Sequence, residues 1–182
     1  MTPVQPIPAA SVILLRDNPL EVLMILRHEK SSFVPSAWVF PGGAIDPEDG
    51  EPGTLDAARA AAIREVFEET AIRVDGELVL TSRWVTPAHL PKRFDTFFFL
   101  ASVPHDVNVK LQEAEAVDAT WIAPADALAR QRAGSFPMVF PTIKNLEALA
   151  GAKSSAELLA SRRNARVEPV EPIVVNNRFV VP

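Results

Sequence analysis

The stretch Arg64-Glu65-Val66-Phe67-Glu68-Glu69-Thr70 (REVFEET) sets three carboxylates within five residues, directly after an alanine-rich run at 57–62. From Leu55 to Ala71 no glycine or proline intervenes, alanine dominates and Thr54 stands where an N-cap belongs. The segment is therefore predicted as a helix. Each residue turns the chain by about 100°. With Glu65 at zero, Glu68 falls near roughly 300° and Glu69 near roughly 40°, so the three acids share one face. On the same wheel Ile63, Val66 and Phe67 form the expected buried stripe. Ala58, Ala61 and Ala62 share or border the carboxylate face, where small side chains allow another backbone segment to come close.

Like charges at this spacing repel, and the helix dipole disfavours acids near a C-terminus. An isolated cluster of this kind is most often a solvated acidic face. Here it follows a proline-glycine-glycine turn, Pro41-Gly42-Gly43, whose carbonyls can approach a site. Clustered oxygen donors of this kind suit a hard divalent cation such as Mg²⁺ or Mn²⁺.

Working outward, residues 1–8 read as a loose lead-in and 9–182 as a single domain. Residues 9–17 and 20–28 read as two strands joined by a short turn. Residues 37–46 read as a short strand ending in the glycine turn. Further strands are expected at 76–86, 94–102 and 117–122, and helices at 124–131, 140–151 and 154–163, the second of these closed by Gly151. The chain ends in an expected hairpin that turns at Asn176–Asn177. Strands and helices mix without regular βαβ alternation, which predicts an α+β sandwich, a mixed central sheet with flanking helices.

The 182 residues carry a net charge of −5, 48% hydrophobic and 23% charged side chains, and no cysteine. Disulfide and thiolate chemistry are excluded. The acidic balance argues against a nucleic-acid polymer as partner. No apolar run is long enough to span a membrane, so a cytoplasmic protein is expected. His28, His89 and His105 lack zinc spacing. Asp46, Glu48, Asp49 and Glu51 lack the ligand order of a calcium loop and read as a solvated loop.

The run from Pro41-Gly42-Gly43 to Arg64-Glu65-Val66-Phe67-Glu68-Glu69-Thr70-Ala71-Ile72 resembles the signature of the Nudix hydrolases, G-x5-E-x7-R-E-U-x-E-E-x-G-U with U aliphatic. Asp56 stands at the first glutamate and Ala71 at the last glycine. Gly43 is taken as the signature's first glycine, with about seven extra residues before Asp56. More loosely, residues 9–149 are similar to the branch that includes peroxisomal CoA and acyl-CoA diphosphatases.

The resemblance implies a Nudix-type α/β/α sandwich and a Mg²⁺- or Mn²⁺-dependent diphosphatase acting on a small nucleoside diphosphate derivative. CoA or acyl-CoA is one substrate class; ADP-ribose, nucleotide sugars and nucleotides form another. A Nudix-fold binding or regulatory module without catalysis is the reading of a different class. A homodimer is compatible with the family. By the same resemblance Glu65, Glu68 and Glu69 are metal ligands, joined by a carbonyl of Gly42 or Gly43. Arg64 orients Glu68 or Asp56, and Glu115 is the general base, with Glu113 second. Lys92 and Arg93, near Asp95, are candidates for the substrate's phosphates. Trp84, Phe33 and Phe136 are candidates for stacking, although core packing is the commoner use of such residues.

Overall fold

The computed structural model describes residues 4–31 and 34–182. One mixed sheet organises them. It contains β1 (Ile7–Arg16), β2 (Glu21–Arg27), β3 (Trp38–Val39), β4 (Gly42–Ala44), β5 (Val79–Val85), β6 (Phe94–Ser102), β7 (Ala116–Ile122) and β8 (Pro169–Val170). The helices are α1 (Leu55–Thr70), α2 (Pro124–Arg132), α3 (Phe140–Leu149) and α4 (Ser155–Arg162). The strand order is β3-β2-β1-β6-β5-β8, with β4 also on β1 and β7 also on β2.

β1 is central, and its run Ala9–Leu15 is buried throughout, as expected of a strand covered on both faces. One edge pairs parallel with β6, from Ile7 opposite Phe94 to Leu15 opposite Ser102. The other edge is divided: Leu15 and Arg16 pair with β2, and Ala9–Ser11 pair with β4. The period-two alternation of side chains sorts the core into two layers. Ala10, Val12 and Leu14, with Phe97, Phe99 and Ala101, face α1. Ile13 and Leu15, with Phe98 and Leu100, face α2, α3 and α4 through Leu128, Leu146, Leu149, Leu158 and Leu159. The result is the expected α+β sandwich. No helix among the described residues is long and apolar enough to cross a membrane.

The predicted elements need several adjustments. β1 begins at Ile7, inside the expected lead-in, because its N–H reaches the Arg93 carbonyl at 2.9 Å. The terminal hairpin is present as β9 (Ile173–Val175) and β10 (Arg178–Val180), and Asn176 and Asn177 both take positive φ. β8 was not foreseen.

The largest change concerns α1. Its inward face is Ala57, Ala58, Ala61, Ala62 and Val66, all buried, whereas Ile63 and Phe67 are 43% and 44% exposed. The expected apolar stripe therefore points outward, apart from Val66, and the alanines let the helix lie close to β1. The Arg73 guanidinium covers the Phe67 ring at 4.8 Å.

α1 is capped as predicted, with Thr54 Oγ1 accepting from the Ala57 N–H at 3.3 Å. It ends at Ala71, which adopts a left-handed conformation (φ 59°, ψ 12°) and donates its N–H to the Phe67 carbonyl at 2.8 Å. A Cβ in that region costs about 1–2 kcal/mol, partly offset by the larger entropy glycine loses on folding. Ala71→Gly is expected to stabilise the fold by up to about 1 kcal/mol, read as a higher urea midpoint with an unchanged slope.

Candidate active site

The site lies where β4 and the C-terminal half of α1 meet. Gly42, at φ 155°, pairs with Ser11 so closely that a Cβ would stand 2.3 Å from the Ala10 carbonyl oxygen. At Gly43 a Cβ would stand 2.5 Å from the Glu65 carboxylate. The two glycines thus answer two different crowdings, one from the strand beneath and one from the acid above.

Glu69 is 4% exposed, and its Oε2 accepts the Gly42 N–H at 2.8 Å. Burial pushes its carboxyl up to about 8, with the Gly42 N–H pulling the other way and the Glu65 charge adding to the rise. Glu65 is also raised above the ordinary carboxylate range by burial, against a hydrogen bond from Arg64. Glu68 is more open and is held by Arg64. The helix face that carries the alanines in its first turns carries Glu65 and Glu69 in its last.

Arg64 ties the group together. Its Nη1 donates to Glu65 Oε1 at 2.8 Å and to Glu68 Oε2 at 3.1 Å. Its Nη2 donates to the Ala44 carbonyl at 3.1 Å. Its bidentate partner is Asp49, through Nε–Oδ1 at 3.0 Å and Nη2–Oδ2 at 2.7 Å. Asp49 also accepts the Asp46 N–H at 2.8 Å, and its side chain is 5% exposed. The Arg64 hydrogen bonds hold its carboxyl below the ordinary range, and Arg64 itself is raised well above its own.

Two expectations are corrected here. Asp56 does not meet Arg64; its side chain is 99% exposed, 3.6 Å from Arg59. Asp49 does not belong to a solvated loop. It stands at the literal G-x5 spacing from Gly43, so the extra residues follow the loop acid and do not precede it. That spacing was the available signal.

A second segment closes on the helix end. Lys110 N–H donates to the Thr70 carbonyl at 2.9 Å, and Gln112 N–H to the Glu69 carbonyl at 3.0 Å. The turn that follows carries Glu113 and Glu115, both exposed. The Glu115 charge reaches Glu69 and raises it further, whereas the Arg27 charge lowers it. Beside this turn a cavity of about 580 Å³ is lined by His28, Val109, Leu111, Glu113, Ala116 and Val117. Arg27, at the end of β2, is a site neighbour that sequence reasoning missed; a strand-terminal arginine carries no distinguishing signal.

Of the oxygen donors, Glu69 is buried and Glu65 part-buried, burial lifts both carboxyls, and the Gly43 backbone lies against Glu65. That set suits a hard cation. Among the described residues no three or more His, Cys, Asp or Glu side chains are already gathered closely enough to hold a metal ion.

The remaining candidates are placed elsewhere. Arg93 is 6% exposed, and its guanidinium donates to the carbonyls of Thr86 and Val4, both at 2.8 Å, and pairs with Glu171 at 3.2 Å. It clasps the N-terminal segment to the β5–β6 connection, so the expected phosphate contact is replaced by a structural one. Lys92 lies 5.5 Å over the Phe94 ring, and Asp95 forms a bidentate pair with Arg83. Trp84 and Phe136 are core residues, and Phe136 stacks on Trp38 at 4.4 Å. Phe33 lies outside the described residues. His28 Nδ1 accepts the Lys30 N–H, and His105 Nδ1 meets the Asp17 carbonyl.

Against known proteins, the NUDIX domain profile matches residues 5–140. The chain belongs to the NUDIX domain family. A putative nudix hydrolase 7 of Caenorhabditis elegans is 29% identical over 80% of this chain and 61% of its own length. Nudix hydrolase 7 of Arabidopsis thaliana is 32% identical over 62% of this chain and 38% of its own. The chain therefore spans less than two thirds of either relative. The crystal structure of a NUDIX hydrolase from Alicyclobacillus acidocaldarius superposes with a TM-score of 0.76 at 28% identity, covering 87% of this chain and 96% of that one.

Two outcomes follow for this NUDIX site. Asp49→Ala leaves a part-buried guanidinium short of its bidentate acceptor, costing about 1–3 kcal/mol, while Asp56→Ala stays within about 0.5 kcal/mol; urea unfolding separates them. Glu69, raised from 4.5 to about 8, is protonated in the folded chain and ionised in the unfolded one across that window. Its contribution is present at low pH and lost as pH rises through about 8, by at most about 1.4 kcal/mol per pH unit. Metal-free protein should lose stability from pH 5 to 8, and Glu69→Gln should flatten that slope.

Proposed function

We propose that the chain is a divalent-cation-dependent diphosphatase that hydrolyses the phosphoanhydride of a nucleoside diphosphate derivative. The observation that carries this reading is the burial of Glu69 and the partial burial of Glu65, on one helical turn against the Gly42–Gly43 backbone. Two desolvated carboxylates on one turn are costly without a cation. Glu65, Glu68, Glu69 and the Gly43 carbonyl would hold Mg²⁺ or Mn²⁺. When bound, the ion offsets the diphosphate's charge and acidifies water.

The chain's own groups do the rest. Arg64 keeps Glu65 and Glu68 turned to one side, and Asp49 keeps Arg64 in place. Glu115, on the turn pinned to the end of α1, accepts a proton from the attacking water at a carboxylate oxygen. The water oxygen bonds to phosphorus as the bridging P–O bond breaks, and the bridging oxygen leaves with the second phosphate. Lys92 is retained as a cation for the substrate.

CoA or an acyl-CoA is the substrate class favoured. The support is the likeness to that branch over residues 9–149 and the aliphatic wall of Val109, Leu111, Ala116 and Val117 beside the site, which suits a flexible aliphatic arm. A cytoplasmic location and a homodimer complete the proposal.

A panel of CoA, acetyl-CoA, ADP-ribose and a UDP-sugar, with magnesium and then with chelator, tests it. Release of 4′-phosphopantetheine from CoA is expected, abolished by chelation. Glu69→Gln and Glu68→Gln should each lower kcat about 100-fold or more with the far-ultraviolet spectrum unchanged. Near-normal rates in both variants would overturn the site assignment, and ligand binding without turnover would make the domain a binding module.

A further inference from the structure

Arg27 closes β2 after the apolar run Val22–Leu26. Its backbone is held on both sides: the N–H reaches the Ala37 carbonyl at 3.0 Å, and the residue pairs with Ala116 across a register shift in the β2–β7 ladder. Its side chain is treated differently from those of four other buried or part-buried arginines. Arg16, Arg64, Arg83 and Arg93 each hold a carboxylate or a set of carbonyls. The Arg27 Nε is shut off from solvent and has no hydrogen-bond partner among the described residues. The Arg162 Nε shares this property, but it lies on α4, which packs on β5 and β6 away from the acids.

A buried donor without an acceptor costs about 1–3 kcal/mol, more when charged, and such a group calls for an explanation. The surroundings give one. Arg27 lines a cavity of about 380 Å³ with Leu26, His28, Glu29, Ser36 and Val117, and His28 and Val117 also line the larger cavity beside Glu113. Its charge acts on Glu69 without a hydrogen bond to it. A guanidinium that lines a cavity beside a carboxylate site carries the donors that a phosphate's oxygens take.

We propose that Arg27 is a substrate-binding residue that donates to a non-bridging phosphate oxygen of the diphosphate, placing that phosphate at the junction of the two cavities. This deepens the diphosphatase reading and rests on it. The contact also explains why the strand ends in a cation: the diphosphate meets an acidic helix, and a fixed positive charge at its flank selects the anion and orients it along the groove.

The test uses the magnesium-loaded protein, with KM and kcat for whichever panel substrate is turned over and the dissociation constant of α,β-methylene-ADP by calorimetry. Arg27→Gln is expected to weaken both KM and α,β-methylene-ADP binding about tenfold or more, and Arg27→Lys to recover part of the loss. Magnesium binding should not weaken, and Tm should not fall. Unchanged analogue binding in Arg27→Gln overturns the proposal. So does a loss that appears only together with weakened magnesium binding, because Arg27 would then act through Glu69. Absence of turnover in the wild type sinks the enzymatic reading alone; the analogue then decides Arg27, and no wild-type binding of it counts against the contact.

Discussion

The distance between α1 and the sheet governs the site. Alanines at 57, 58, 61 and 62 leave the helix no bulk to hold it off β1, so its axis lies low over the central strand. The same face, followed to its C-terminal turns, carries Glu65 and Glu69. Because the helix is low, these carboxylates cannot reach water freely and are pressed against β4. Only glycine accommodates them there. The raised carboxyls of Glu65 and Glu69, the close approach at Gly43 and the N–H of Gly42 on Glu69 are all consequences of one spacing.

Arg64 relieves part of the resulting repulsion. It touches Asp49, Glu65, Glu68 and the Ala44 carbonyl at once. A solitary exposed ion pair is worth little, but a part-buried guanidinium with four acceptors fixes side chains that would otherwise be mobile. It leaves Glu69 to the Gly42 backbone. The acids thus form a gradient, from open Glu68 through part-buried Glu65, both held by Arg64, to buried Glu69.

Much of this was legible in the sequence, for reasons that can be named. The helix 55–70 with its Thr54 cap, the strand 94–102 and the Asn176–Asn177 turn follow from local propensities that tertiary packing does not override. The wheel correctly put the three glutamates on one face. It assigned the wrong residues to the interior, Val66 apart, because Ile63, Val66 and Phe67 share an apolar arc of the wheel whereas the alanines give no such signal. Where a helix lies low on a strand, methyl groups fit and Ile63 and Phe67 do not. β4 was hidden by its two glycines, which are depleted in strands. Arg93 read as a candidate for phosphate, yet its guanidinium is taken up by the carbonyls of Val4 and Thr86, a pairing across distant segments that local sequence does not show. Asp49 was missed because residues were counted back from the helix, while the ion pair closes through space.

That last point has a consequence for the loop itself. Residues 50–53 are exposed, and nothing stands within 4 Å of where a Gly53 side chain would be. The acid–arginine clamp, and not the length of covalent chain, registers the turn against the helix. Loop closure becomes harder only slowly with length, by about 0.6 kcal/mol per doubling. Gly53 is therefore the natural splice point, where foreign sequence such as an epitope or a reporter peptide can be carried within reach of the acidic face of α1 while the Asp49–Arg64 pair stays in place.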